Sequence, residues 1–247
     1  SMMHRAADPL EAMTLAADGG QFGAGLTAMP VTREGFAGSV VDITAIETFR
    51  GISVDCDTLR IGALTTLEAL RRDERIARYI PELAGLLPYV ASVQVRNLAT
   101  LGGNIGWGKG DLLPVLVARG ARLRGPMLDI AVEDYQRGLI GDIVVPLKNA
   151  VGITEKVGHR AAFSPPLVTV AATVGMAQGK IEKCRLAIGG GEPALRLART
   201  EASLAGCNPV SIDWREVRER IIDEAGHGHR GRVAAGVLVH LLAEKLS

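Results

Sequence analysis

The sequence predicts an α+β fold, in which an antiparallel sheet packed on helices follows a region of alternating strands and helices. Short β-branched or apolar runs alternate with helix-forming segments in the first part of the chain. Two long β-rich runs, at 167–176 and 181–188, are separated by a segment that contains Gln178-Gly179, a pair typical of a tight hairpin turn. The last segment carries apolar residues at helical spacing.

The first part of the chain divides into short elements. We expect the 19–27 stretch to be a loop, and Thr65 to cap a helix whose Glu68 reaches back to it. The expected helices and strands, in chain order, are a helix at 12–17, strands at 39–43 and 59–61, helices after Thr65, near 80–91 and at 112–118, and a strand at 121–123.

The character of the sequence changes near residue 150, where β-rich segments become longer. Beyond the predicted hairpin, Pro193 is suited to the first position of a helix that Gly206 ends. Asp213 and Glu216 form a capping-box pattern before another helix. We therefore divide the chain into residues 1–149 and 150–247.

The composition limits the classes of function. The 247 residues are 47% hydrophobic and 4% aromatic, with a net charge of +1, so neither attraction to phosphate backbones nor base stacking is favoured. No apolar run reaches membrane-spanning length. We expect a cytoplasmic protein with no nucleic acid partner and no membrane span.

The chain offers few metal ligands at suitable spacing. Cys56, Cys184 and Cys207 are far apart in sequence, so they cannot form an iron–sulfur site alone. The pair His227 and His229 has no further ligand nearby, and a solvated loop is the simpler interpretation. We predict no metal site and no catalytic side chain.

Two glycine-rich segments are the strongest candidates for ligand binding. In residues 100–104, TLGGN, adjacent glycines let the backbone approach a ligand, and exposed N–H groups could bind phosphate oxygens. A plain glycine turn joining two elements is the alternative. Residues 23–27, GAGLT, are a second loop of this type. Together the two loops could hold a pyrophosphate from both sides.

Several motifs carry a resemblance to one family over essentially the whole chain. Residues 95–105, VRNLATLGGNI, resemble the RN-x-x-T-x-GGN signature of the FAD-binding medium subunits of molybdenum hydroxylases, of the carbon monoxide dehydrogenase and xanthine dehydrogenase type. Similar motifs follow the family's order: LRIGALTT at 59–66, DLLP at 111–114, KVGHRAA at 156–162, AIGG at 187–190 and EASLAG at 201–206.

The resemblance implies a two-lobed FAD-binding region, with lobes at about 1–52 and 53–149, followed by the C-terminal domain. The residues implied to hold the pyrophosphate are Ala24, Gly25 and Thr27 on one side, and Thr100, Gly102, Gly103 and Asn104 on the other. Asp111 would bind the ribose or adenine end. Leu139 and Ile140 would pack near the flavin ring, with Lys156 beside it.

The implied function is electron transfer. A molybdenum-cofactor large subunit would oxidise the substrate, a 2Fe–2S small subunit would relay electrons, and FAD on this chain would pass them to an external acceptor. The alternative is a cofactor-free relative that serves as a scaffold or as a non-redox enzyme with a repurposed pocket. Leu26 and Ala28, which stand where the family has glycine and a polar residue, motivate that alternative.

Overall fold

A computed structural model describes residues 3–25, 39–147, 150–158 and 166–247. Three sheets organise these residues, each associated with its own group of buried apolar side chains. The α+β class predicted from the sequence is therefore confirmed. The domain boundary near residue 150 and the lobe boundary near residue 52 stay predictions.

The N-terminal unit is a small parallel sheet with one helix. Its elements are β1 (Met3–Arg5), α1 (Pro9–Ala16), β2 (Gln21–Gly23) and β3 (Val40–Asp42), with β3 between the other two strands. Asp8 caps α1, since its side chain accepts the Glu11 N–H. Strand β2 occupies part of the stretch that the sequence analysis predicted to be a loop.

The middle unit is a five-stranded antiparallel sheet covered by six short helices. The strands are β4 (Ile52–Asp55), β5 (Thr58–Gly62), β6 (Arg122–Gly125), β7 (Leu128–Ala131) and β8 (Asp142–Pro146), in the order β4-β5-β8-β6-β7. The helices are α2 (Leu67–Arg72), α3 (Glu74–Tyr79), α4 (Pro81–Leu86), α5 (Val93–Leu98), α6 (Leu101–Trp107) and α7 (Leu113–Arg119).

The C-terminal unit is a four-stranded antiparallel sheet covered by three helices. The strands are β9 (Val151–Gly158), β10 (Pro166–Ala177), β11 (Lys180–Gly189) and β12 (Leu195–Arg196), and the helices are α8 (Ala198–Leu204), α9 (Trp214–Ala225) and α10 (His229–Leu246). Alternate residues of β10 face opposite sides, so Val168 and Val170 pack on these helices whereas Ala171 faces the middle unit.

Helix α7 joins the middle and C-terminal units. All seven of its residues are buried, which is the pattern of a helix covered on every side. Its neighbours on the C-terminal sheet include the small residues Ala171 and Ala187, which belong to the same apolar core as Leu116. Small side chains let the sheet come close to the helix, so the two units share one core.

The predicted hairpin is confirmed, while two helix starts differ from the prediction. Gln178 and Gly179 have φ of 50° and 72°, as a type I′ turn requires. Thr66, not Thr65, caps α2, and Glu68 binds arginines instead of the cap. Pro193 precedes β12 and does not begin α8. Within the described ranges, no helix is both long and apolar enough to cross a bilayer.

A buried ion pair fixes α4 against α7. Glu82 and Arg119 are 3% and 5% exposed at the side chain. Arg119 donates from Nε to Glu82 Oε1 and from Nη2 to Oε2, the latter at 2.8 Å. Such a bidentate pair satisfies two charges that would otherwise be buried without partners.

Replacing Arg119 with leucine is expected to lower the free energy of unfolding by about 3–5 kcal/mol, because the Glu82 carboxylate would stay buried without a partner. Urea denaturation measures the change. The double variant Glu82→Leu/Arg119→Leu is the matched control, and its free energy of unfolding should decrease less, since it leaves no buried charge. An equal decrease in the two variants would contradict this account.

Candidate functional site

A long cleft runs along the junction of the three units. Its volume is about 2660 Å³, well above the roughly 300–1,000 Å³ of ordinary small-ligand pockets. The walls come from the loop after β2, from α5 and α6, from the segment before β8, and from β9. The cleft therefore has room for an extended ligand.

One wall is built by the TLGGN segment, which forms the first turn of α6. Thr100 is the N-cap, and its side-chain oxygen accepts the Gly103 N–H at 3.1 Å. The alternative of a plain glycine turn between two elements is therefore wrong, because the two glycines lie inside a helix.

The N–H groups of this turn are already used within the protein. Leu101 donates to Thr65 O at 3.0 Å, Gly102 to Ala63 O at 2.9 Å and Asn104 to Thr100 O at 2.9 Å. The expectation that these groups are exposed phosphate donors is therefore wrong. The polar groups left for a ligand on this wall are the Thr100 hydroxyl hydrogen and the Asn104 side-chain amide.

The two glycines of the motif have different surroundings. A Cβ at Gly102 would lie 2.8 Å from the Ala63 side chain, so this glycine permits close packing within the protein. A Cβ at Gly103 would meet only Thr100 Oγ1, at 3.0 Å, and one at Gly106 would meet nothing within 4 Å. Gly103 and Gly106 thus leave a bare helix surface along the cleft.

The Asn104 side chain is held in the cleft wall, but its oxygen has no hydrogen-bond donor among the described residues. A Cβ at Gly110 would lie 2.0 Å from Asn104 Oδ1, so the amide packs directly on that glycine. Asn104 Oδ1 is buried and accepts no hydrogen bond from the described residues. A buried acceptor of this kind costs free energy unless a ligand or water supplies a donor.

The adjoining wall begins at Ala24 and Gly25, directly after β2. A Cβ at Gly25 would lie 1.8 Å from the carbonyl oxygen of Leu98, so only glycine permits this approach. Leu98 ends α5, two residues before Thr100. The two glycine-rich segments are remote in sequence but therefore lie next to each other in the cleft wall. Thr27, together with Leu26 and Ala28, lies outside the described residues.

Asp111 and Lys156, which both line the cleft, form an ion pair. Lys156 Nζ lies 2.8 Å from Asp111 Oδ2 and also donates to the Tyr89 carbonyl at 2.8 Å. Asp111 Oδ1 accepts the Thr169 hydroxyl at 3.2 Å. Lys156 on β9 and Thr169 on β10 are direct partners in the C-terminal sheet, which positions both donors. The Asp111 carboxylate and the Lys156 ammonium therefore lie together at one point of the cleft wall.

Leu139 and Ile140 lie at the seam between the N-terminal and middle units. Leu139 packs in the apolar cluster of the N-terminal unit, and Ile140 in that of the middle unit. Both side chains are buried, at 2% and 6% exposure, and both line the cleft. They supply an apolar section of the wall.

Two exposed cations also line the cleft and were not among the predicted site residues. They are Lys109 and Arg137. Among the residues that the structure describes, neither forms an ion pair. They provide positive charge for an anionic ligand. A lysine and an arginine in solvated loops carry no distinguishing sequence pattern, so only the structure identifies them.

Arg96 of the RN motif has a structural role. It is 6% exposed and donates to Glu68 Oε2 at 3.0 Å, to Val90 O at 3.1 Å and to Ala91 O at 2.8 Å. Ala91, which lines the cleft, has a positive φ of 55°. Arg96 thus holds an unfavourable backbone conformation at the cleft edge.

Ten of the predicted cofactor-binding residues line this single cleft. They are Ala24, Gly25, Thr100, Gly102, Gly103, Asn104, Asp111, Leu139, Ile140 and Lys156. Their roles toward a ligand stay predictions. No group of three or more potential metal ligands occurs among the described residues, and His227 and His229 are exposed.

Comparison with protein families gives a match over residues 4–135 to the FAD binding domain in molybdopterin dehydrogenase. A xanthine dehydrogenase FAD-binding subunit of Escherichia coli O157:H7 is 42% identical over 67 residues, which are 27% of this chain and 23% of that protein. A nicotinate dehydrogenase FAD-subunit of Eubacterium barkeri is 35% identical over 66 residues, 27% of this chain and 22% of that protein. The alignments thus span less than a quarter of these relatives.

Solved structures share the fold over nearly the whole chain. The reconstituted CO dehydrogenase from Oligotropha carboxidovorans contains a chain with a TM-score of 0.84 and 20% identity, covering 100% of this chain and 98% of that one. Quinoline 2-oxidoreductase from Pseudomonas putida 86 gives a TM-score of 0.78 and 20% identity, covering 99% and 96%. At this identity the likeness concerns the fold alone.

Protonation of Glu68 is expected to destabilise the protein in acid. Hydrogen bonds from Arg71 and Arg96 lower the pKa of Glu68 from its ordinary 4.5 to about 2. A carboxyl with a lowered pKa stabilises the folded state above pH 4.5, and this contribution is lost as the pH falls toward 2.

The test is the melting temperature as a function of pH. In Glu68→Gln the decrease in melting temperature between pH 4.5 and 2 should be smaller than in the wild type, because the amide does not titrate. Glu244→Gln, on a side chain that is 73% exposed, is the control and should keep the wild-type profile. A wild-type acid profile in Glu68→Gln would show that Glu68 contributes nothing to it.

Proposed function

We propose that this chain, which belongs to the family of FAD binding domains in molybdopterin dehydrogenases, binds FAD along the cleft and serves as the electron-transfer subunit of a molybdenum hydroxylase. Membership of the family confirms the resemblance found in the sequence and identifies FAD as the cofactor. The residues that hold it, the direction of electron flow and the partner subunits are parts of the proposal.

The observation that carries the proposal is the convergence of two remote glycine-rich segments on one cleft. Gly25 and Leu98 are in such close contact that no side chain fits at position 25. The bare surface at Gly103 and Gly106 lies on the adjoining wall. Glycine backbone without side chains lets a pyrophosphate come close, and the exposed surface at Gly103 and Gly106 beside Gly25 supports this position for it.

The polar groups of the wall fit such a ligand. Asn104 lines the cleft and its side-chain oxygen lacks a donor within the described part of the chain, and FAD carries hydroxyl groups that could donate to it. With the first N–H groups of α6 already used, the Thr100 hydroxyl and the backbone of Ala24 and Gly25 remain to meet the pyrophosphate, together with Thr27. Lys109 and Arg137 would balance its negative charge.

The resemblance implied different ends of FAD for Asp111, at the ribose or adenine, and for Lys156, beside the flavin. Because the two side chains form an ion pair, we assign both to one end of the ligand. We assign that end to the flavin, because the family resemblance sets Lys156 beside the flavin ring and the ion pair holds Asp111 next to Lys156. Asp111 balances the Lys156 charge, so the local field on the flavin is weaker than that of a free ammonium. Leu139 and Ile140 would supply apolar contact and exclude water.

When bound, FAD supplies the capacity to accept electrons and pass them on. A 2Fe–2S cluster takes four protein ligands, usually four cysteines, and this chain has three cysteines distributed over both halves of the sequence. Electrons would therefore arrive from a cluster on a small partner subunit. A large subunit with the molybdenum cofactor would oxidise the substrate. Our chain would contribute the cofactor site and the protein environment around it.

The visible absorption spectrum of the purified chain tests the cofactor assignment. We expect a flavin spectrum at one FAD per chain, either as purified or after addition of FAD. Copurification from the native host with metal analysis would then test the partners. A colourless protein that takes up no FAD would defeat the proposal and favour the alternative of a cofactor-free relative.

The substitution Gly103→Val is expected to abolish FAD retention, because its branched side chain would project from the bare surface into the cleft. The protein should still fold, since a Cβ there meets only Thr100 Oγ1. Gly236→Val is the matched control. It makes the same change in α10, where a Cβ meets nothing within 4 Å. Undiminished FAD content in Gly103→Val would contradict the proposed contact.

A further inference from the structure

The cleft exposes an aromatic side chain that the family motifs do not include. Aromatic residues make up only 4% of the chain, with two tryptophans. Trp107, the last residue of α6, lines the cleft and is 50% exposed. The other tryptophan, Trp214, packs against the core of the C-terminal unit. An indole with half its surface in solvent is an unused apolar contact area.

Packing within the protein does not account for Trp107. Its neighbours in sequence are Gly106 and Gly108, and a Cβ at either would meet no atom within 4 Å. Gly108 has a φ of 77° and ends the helix, with its N–H donating to Ile105 O at 2.9 Å. Trp107 therefore stands at a helix end, between two glycines whose Cβ positions are open.

The position of Trp107 along α6 identifies the part of the ligand that it would meet. The N-terminal end of α6 adjoins Gly25 of the N-terminal unit. Its other end is tied to the C-terminal unit, since the Gly191 N–H donates to Lys109 O at 3.0 Å. At 1.5 Å per residue, Trp107 lies about 6 Å along the helix axis from Gly103. The Trp107 ring is therefore displaced from the proposed pyrophosphate position beside Gly103, and it lies toward Asp111, which follows α6 in the chain.

We propose that the Trp107 indole stacks on the isoalloxazine ring of bound FAD. This inference rests on the proposed function and adds a binding residue to it. The adenine would lie beyond the pyrophosphate, at the other end of the cleft. Stacking between an aromatic side chain and a nucleobase-like ring strengthens binding by about five- to 150-fold, as alanine substitution measures it.

Titration of the FAD-free full chain with FAD tests the contact, with flavin fluorescence as the readout. An indole stacked on a flavin quenches flavin emission by electron transfer. Trp107→Ala should therefore bind FAD about tenfold more weakly and emit more strongly once saturated. Trp107→Phe should recover most of the affinity, and Trp214→Phe should match the wild type.

Two fragments of the cofactor locate the contact. Trp107→Ala should weaken binding of FMN, which contains the flavin, and leave binding of ADP unchanged. Wild-type affinity and emission in Trp107→Ala would overturn the inference while leaving FAD binding intact. Loss of ADP affinity instead would overturn the assignment to the flavin ring. Failure of the wild-type chain to bind FAD would overturn the proposed function as well.

Discussion

The burial of α7 between two sheets is the constraint on which the arrangement of the cleft depends. All seven residues of this helix are inside the protein, and its core includes side chains from both the middle and the C-terminal sheet. A helix covered on every side fixes the positions of both sheets, because in a closely packed interior the sheets have little room to slide past the helix. Asp111, two residues before α7, and Lys156 on β9 are brought together by this packing.

On the other side of the cleft, a contact between backbones fixes the N-terminal unit against the middle unit. The N-terminal unit adjoins the middle unit at Gly25, where the carbonyl of Leu98 occupies the space of a side chain. Leu139 adds a second attachment, since it packs in the apolar cluster of the N-terminal unit although it precedes β8. The cleft is therefore the space left at the junction of three separately organised units.

The sequence predicted those features whose causes are local. Gln178-Gly179 marks its hairpin because the turn requires positive φ at both residues. The Asp213 cap is likewise confirmed by its hydrogen bond to the Arg215 N–H. The motifs were sufficient to identify the family, and the resemblance that they carry named ten residues that line the cleft.

The features that could not be predicted arise from tertiary contacts. Two adjacent glycines disfavour a helix, yet α6 forms because Thr65 and Ala63 accept its first N–H groups. The pairing of Asp111 with Lys156 joins residues 45 positions apart. No local pattern contains that information. The single-residue shift from Thr65 to Thr66 in the α2 cap is the ordinary uncertainty of helix boundaries.

The hydrogen-bonded first turn of α6 has a consequence for how a cofactor would be taken up. Because the N–H groups of Leu101, Gly102, Gly103 and Asn104 find their acceptors within the polypeptide, this wall keeps its shape before any ligand arrives. A preorganised wall spares an incoming dinucleotide the entropic penalty of ordering that helix. Uptake of the cofactor would then be binding to a preformed site, without folding of α6 around it.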